Sequence, residues 1–249
     1  MEIRYFKHYS TQLGCDMEFK AYGHAGKPVM FIPTEGGRFY DFEDFRMLDH
    51  WTQWIEEGRC TVYAIDSIDG ETYLSQQEAP GRIRRHEQWY NYIIYELVPY
   101  IRMLSLERNG YDQGIMTFGC SLGASHAANL FFRRPDVFNA VLALSGIYDS
   151  GRYFGSYMDD TLYQNTPTAY LKNLPDDHYY KRMYNNRRMM FVSGQGPWEE
   201  ASLSSLRYLE YVLRDRGIHA QIEYWGGDVS HDWYWWFKMV EHYVPCFLY

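Results

Sequence analysis

Residues Thr117 to Ser125 read TFGCSLGAS and set Ser121 in the pattern G-x-S-x-G. A serine hydroxyl is a weak nucleophile until a base takes its proton and hydrogen-bond donors meet the oxyanion that its attack creates. The pattern provides for the donor when a strand runs into it and a helix leaves it. Glycines at both ends let backbone segments approach closely, the hydroxyl stands clear of the sheet, and the next N–H, at the helix start, faces the oxyanion. Here the glycines are Gly119 and Gly123 and the N–H belongs to Leu122. Because the short pattern also arises by chance, its surroundings must carry the assignment.

A base is the first requirement. In an elbow of this kind the triad runs serine, acid, histidine, with the histidine on the loop after the last strand. Of the 9 histidines, His231 fits, in GGDVSHDW directly after the apolar run AQIEYW. His242 falls inside the final helical run, His219 precedes the last strand and His126 lies in the helix behind the serine; all three read as packing or surface residues. The acid should follow the strand RMMFVS, where the loop GQGPWEE offers Glu199 and Glu200 and no aspartate. Glu199 is nearer the strand end and is favoured. Glu200 at a helix start would complement the helix dipole. Asp228 and Asp232 flank the base and are substitutes for the acid, although neighbours so close in sequence rarely reach the nitrogen that needs orienting. A second oxyanion donor is expected from Thr34-Glu35-Gly36-Gly37-Arg38, with Gly37 the first choice and Gly36 the alternative. Cys120 reads as a space-filling neighbour of the nucleophile.

These residues need a frame, and the apolar patterning describes one. Short apolar runs at 27–33, 60–65, 114–118, 141–145, 188–193 and 220–225 alternate with helical patterns at 41–58, 86–109, 124–133 and 201–216, and a Trp-rich helix ends the chain. Strands alternating with helices predict an α/β fold, a mainly parallel central sheet with helices on both faces and catalytic groups at the carboxyl ends of the strands. No repeat, linker or low-complexity tract divides residues 1–249, so one domain is expected. The segment 149–186, rich in Tyr, Asp, Gly and Pro, breaks the rhythm and reads as an insertion over the strand ends, a lid, a pocket wall or a structural excursion.

Composition narrows the partners. A net charge of -8 in 249 residues argues against nucleic acid or an anionic membrane. The run Arg82-Ile83-Arg84-Arg85 reads as a solvated face or a local ion-pair donor. The 4 cysteines form no C-x-x-C pair and no His/Cys cluster has zinc spacing, so neither a metal nor an organic cofactor is expected. No signal-like or membrane-spanning run occurs, and a reduced cytoplasmic location is the default expectation. The 19% aromatic content reads chiefly as core and loop filling.

The stretch GCSLGASHAANLFFRRPDVFNAVLALSGIYD, the helix YELVPYI before it, and the blocks PTEGGRFYDFEDF, GQGPWEE and WGGDVSHDWYWW resemble the α/β-hydrolase superfamily, within it the serine esterases related to esterase D and the mycolyltransferases. The similarity runs from about Pro28 to the end. It implies an α/β-hydrolase fold, Ser121 as nucleophile, His231 as base, Glu199 as acid, and the N–H groups of Leu122 and Gly37 as oxyanion hole. Many relatives have aspartate after the penultimate strand, so the glutamate here is a departure and leaves Glu200 open. The family's chemistry spans esters, thioesters and acyl transfer, so the expected partner is a small ester, cleaved through an acyl-enzyme. Acyl transfer to an alcohol and a non-catalytic binding role are the alternatives; oligomeric state is not legible.

Overall fold

The computed structural model describes residues 1–248. Its centre is an eight-stranded sheet in the order β1-β2-β4-β3-β5-β6-β7-β8. The strands are β1 Ile3–Ser10, β2 Cys15–Tyr22, β3 Lys27–Ile32, β4 Cys60–Ile65, β5 Ile115–Cys120, β6 Phe138–Leu144, β7 Arg188–Ser193 and β8 Gln221–Tyr224. From β4 through β8 all neighbours are parallel; only β2 is reversed, antiparallel to both β1 and β4. The chain therefore has the mainly parallel α/β sheet that its strand–helix alternation predicts, in keeping with the α/β-hydrolase fold that its resemblance implies.

Strand side chains alternate between faces, and so does the core. On β5, Met116, Phe118 and Cys120 pack with Trp51, Trp54, Trp236 and Met239 on one face. Ile115 faces the other way, into a core that includes Trp89, Ile93, Ala127 and Leu206. Phe118 is fully buried, 5.5 Å from Phe31 and 5.1 Å from Trp51 between ring centroids. Truncating such a ring to alanine costs about 3–5 kcal/mol.

The first face is covered by α1 Asp41–Asp44, a 3-10 turn Met47–His50, and α2 Thr52–Glu56. One continuous helix was expected from the apolar spacing over 41–58. Arg46 adopts a left-handed φ of 64° and divides it. On the opposite face α3 Ala79–Tyr92 passes through a π turn, Ile93–Leu97, into α4 Val98–Asn109. The widened turn sits just ahead of Pro99, which has no N–H for the carbonyl of Tyr95 and whose ring would crowd it. Helix α5 Leu122–Arg133 follows β5 directly.

Residues 149–186 hold four short helices: α6 Gly151–Phe154, α7 Asp160–Gln164, α8 Pro167–Lys172 and α9 Tyr179–Asn185. Arg82 ties this segment to α3, donating to the carbonyls of Thr72 at 2.8 Å, Tyr73 at 2.5 Å and Tyr153 at 3.0 Å. Arg85 pairs with Glu71 at 2.7 Å. The basic run thus serves local contacts. Helices α10 Glu200–Asp215, α11 Trp233–Tyr243 and α12 Pro245–Leu248 complete the chain. Among the described residues no helix is long and apolar enough to cross a membrane, and no group of three or more His, Cys, Asp or Glu side chains is placed to hold a metal ion.

Candidate active site

Ser121 lies between the last residue of β5 and the first of α5, with φ 56° and ψ −128°. For a residue with a Cβ this conformation costs about 1–3 kcal/mol, and the surrounding packing must enforce it. Two glycines make that packing available. A Cβ on Gly119 would lie 2.4 Å from the carbonyl of Gly123, and one on Gly123 would lie 2.3 Å from the carbonyl oxygens of Ile32 and Pro33. The start of α5 can therefore press against both β5 and the end of β3. That closeness turns Ser121 out of the sheet. Its hydroxyl opens into a cavity of about 270 Å³ lined also by Leu122, Glu35, Tyr153, Trp198 and His231.

His231 meets Ser121 across 110 residues of chain, its Nε2 lying 2.9 Å from the serine Oγ. The loops after β7 and β8 are joined by main-chain hydrogen bonds: Gln195 N–H to Gly226, Gly196 N–H to Val229, and His231 N–H to Pro197, at 3.2, 2.9 and 3.1 Å. This ladder holds the imidazole against the strand ends, and the Trp236 ring meets its face edge-on at 5.0 Å between centroids.

The other imidazole nitrogen, Nδ1, lies 3.3 Å from Glu199 Oε2. Glu199 is completely buried, whereas Glu200 is exposed at the start of α10. A buried carboxylate must have its lone pairs met. Glu199 accepts from Ser145 Oγ at 2.5 Å, from Ser193 Oγ at 3.2 Å and from the Gly194 N–H at 3.4 Å. Ser145 in turn accepts from Trp236 Nε1 at 3.0 Å. Because the indole N–H can only donate and the carboxylate only accept, the Ser145 hydroxyl hydrogen goes to Glu199.

Leu122, at the first position of α5, has no intrahelical carbonyl for its N–H and lines the Ser121 cavity. Gly37 does not join it. Its N–H donates to Thr34 O at 2.9 Å, and it faces a different cavity with Asp66 and Glu71. The alternative, Gly36, gives its N–H to Asp69 Oδ2 at 3.3 Å. Glu35 is the residue of this loop that reaches the Ser121 cavity. Cys120 is fully buried. Burial, reinforced by the charge of Glu199, pushes its thiol well above the usual range. It stays a neutral space-filler.

Sequence similarity agrees with the geometry. A family model described as "Putative esterase" matches residues 10–241. The chain belongs to this esterase family. Membership makes it a carboxylic ester hydrolase. Similar solved structures include a ferulic acid esterase with 16% identity and a TM-score of 0.77, covering 99% of this chain and 97% of the other. An S-formylglutathione hydrolase from Agrobacterium tumefaciens has 15% identity and a TM-score of 0.72, covering 98% and 93%. MPT51 of Mycobacterium tuberculosis has 14% identity and a TM-score of 0.73, covering 100% and 98%. No curated protein sequence shows significant similarity to this esterase.

Three contributors escaped the sequence reading: Ser145, Trp236 and Glu35. A polar residue ending the apolar strand beside β5 was the available sign for Ser145. Trp236 sits among four tryptophans between residues 225 and 236, and nothing in that run distinguishes it.

Proposed function

We propose that this esterase cleaves small carboxylic esters with a Ser121–His231–Glu199 triad through an acyl-enzyme. The observation that carries the reading is the unbroken hydrogen-bond path from Ser121 Oγ through both nitrogens of His231 to the buried Glu199. His231 takes the serine proton as Oγ attacks the ester carbonyl, then passes it to the departing alcohol. Water deprotonated by the same imidazole then releases the acid. Glu199 keeps the hydrogen on Nδ1 and steadies the imidazolium. The oxyanion rests on the Leu122 N–H and on a second N–H from the loop after β3. Gly37 and Gly36 spend theirs elsewhere, and we assign the role to the N–H of Glu35, the residue of this loop that lines the Ser121 cavity.

A cavity of about 270 Å³ is small for an organic ligand and suits a compact acyl group. The relatives suggest a ferulate ester and a formyl thioester as probes beside p-nitrophenyl esters of rising chain length. Turnover should be greatest with short acyl chains and vanish in Ser121→Ala, and a fluorophosphonate should label Ser121 alone. An unlabelled Ser121, or hydrolysis surviving Ser121→Ala, would overturn the assignment. Product analysis with an added acceptor alcohol distinguishes acyl transfer from hydrolysis.

A further inference from the structure

Asp69 and His126 form a buried pair that the triad does not use. Asp69 lies in a short 3-10 turn, Asp69–Glu71, after β4, and is 3% exposed. His126 lies on α5, also 3% exposed, on the helix that Ser121 begins. Asp69 Oδ1 is 3.1 Å from His126 Nε2, and Asp69 Oδ2 accepts the Gly36 N–H at 3.3 Å. A carboxylate only accepts, so Nε2 carries the hydrogen. One side chain thus joins the nucleophile helix to the loop after β3.

The loop has a second anchor one residue away. Tyr153 donates its hydroxyl to Glu35 Oε2 at 3.0 Å. The Tyr153 ring packs on Tyr73 at 5.2 Å, and Tyr73 packs edge-on to His126 at 4.9 Å. His86 and Trp89 close the other sides of His126 at 5.0 and 5.3 Å. Side chain and backbone of the Glu35–Gly36 pair are therefore both held from α5 and its aromatic surround.

We propose that Asp69 and His126 are positioning residues that hold the loop after β3 at the register in which the Glu35 N–H meets the oxyanion. This rests on the triad reading above. The two can fail separately: the triad fails if Ser121 in the unaltered protein is not labelled by a fluorophosphonate, the positioning role only through variants of a protein that is labelled.

Asp69→Ala removes the Gly36 anchor and should lower kcat by about 10- to 100-fold, short of the full loss of one oxyanion donor. KM should stay within about threefold, because the ground-state carbonyl gains little from that donor. Affinity for a trifluoromethyl ketone, whose adduct carries the oxyanion, should fall in step with kcat/KM. Asp69→Asn should stay within about threefold of wild type, since its carbonyl oxygen can face Gly36 while its amide donates to the other His126 tautomer. His126→Phe keeps the ring contacts and deprives Asp69 of its partner, and should repeat the Asp69→Ala pattern. Full kcat in either soluble, folded variant would overturn the proposal. So would a kcat loss with unchanged ketone affinity, or an Asp69→Asn as impaired as Asp69→Ala.

Discussion

Replacing Glu199 by glutamine tests the triad most sharply, because its surroundings leave the amide no good orientation. With the amide nitrogen toward His231, Nδ1 must become an acceptor and the imidazole hydrogen moves to Nε2, which lies 2.9 Å from Ser121 Oγ. That tautomer cannot take the serine proton. With the amide nitrogen toward Ser145 instead, the Ser145 oxygen faces two donors, since it already accepts from Trp236 Nε1 at 3.0 Å. Its own hydrogen then loses the Glu199 oxygen it reaches at 2.5 Å. The first orientation costs catalysis and the second a buried hydrogen bond. A tautomer trap of this kind lowers kcat by about 10³- to 10⁴-fold, or ~4–5.5 kcal/mol at 1.36 kcal/mol per tenfold. Steady-state hydrolysis of p-nitrophenyl acetate measures it, with circular dichroism confirming the fold. Glu200→Gln is the matched control. Being exposed at the start of α10, Glu200 should leave kcat unchanged and cost at most about 0.3–1 kcal/mol of stability. A Glu199→Gln enzyme within tenfold of wild type, or a Glu200→Gln enzyme that is the impaired one, would refute the reasoning.

Other outcomes follow from the same packing. Ser145→Ala strands Trp236 Nε1 and leaves Glu199 Oε1 only the long Gly194 N–H bond at 3.4 Å, and should cost about 1–3 kcal/mol in urea unfolding while lowering kcat more than KM changes. Gly123→Ala puts a methyl 2.3 Å from the carbonyl oxygens of Ile32 and Pro33 and should cost at least about 1–3 kcal/mol in thermal unfolding, with slower fluorophosphonate labelling. His86 is held neutral: burial, then the neighbouring charges of His126 and Arg133, push it well below its usual value. Below pH ~6.5 the unfolded chain binds a proton that the folded state refuses. Stability should therefore be fully present above that pH and decline as pH falls through it. His86→Phe should flatten this decline in a series of melting temperatures, and an unchanged slope would contradict the assignment.

The parts of the fold visible in the sequence were those with local causes. Gly119, Ser121 and Gly123 announce the strand–turn–helix because the turn itself is local, Gly119 closing on Gly123 four residues on, although Gly123 also packs on the distant end of β3. The strands from β3 to β7 are buried runs bounded by turn residues, so their places along the chain were readable. The hairpin of β1 and β2 was not. Its turn has no paired turn-forming dipeptide, and β1 exposes Ile3, Tyr5 and Tyr9 on its outer face, which blurs the alternation. The helical spacing over 41–58 likewise hid the break at Arg46, a backbone choice no side-chain period reports.

The site divides along the same line. Chain order and loop placement already pointed to Ser121, His231 and a two-glutamate loop, because these follow β5, β8 and β7 of a parallel sheet whose carboxyl ends lie on one side. Which glutamate turns inward depends on where the first turn of α10 sits against Ser145 and Ser193. Which loop N–H stays free depends on Thr34 and Asp69 claiming those of Gly37 and Gly36. Sequence sets the order of groups along the strand ends because covalent connection does. Only the folded chain decides which donors and acceptors remain unspent, because the bonds joining Gly36 to Asp69, Ser145 to Glu199 and Ser121 to His231 span 33, 54 and 110 positions and are made by packing and not by neighbourhood in sequence.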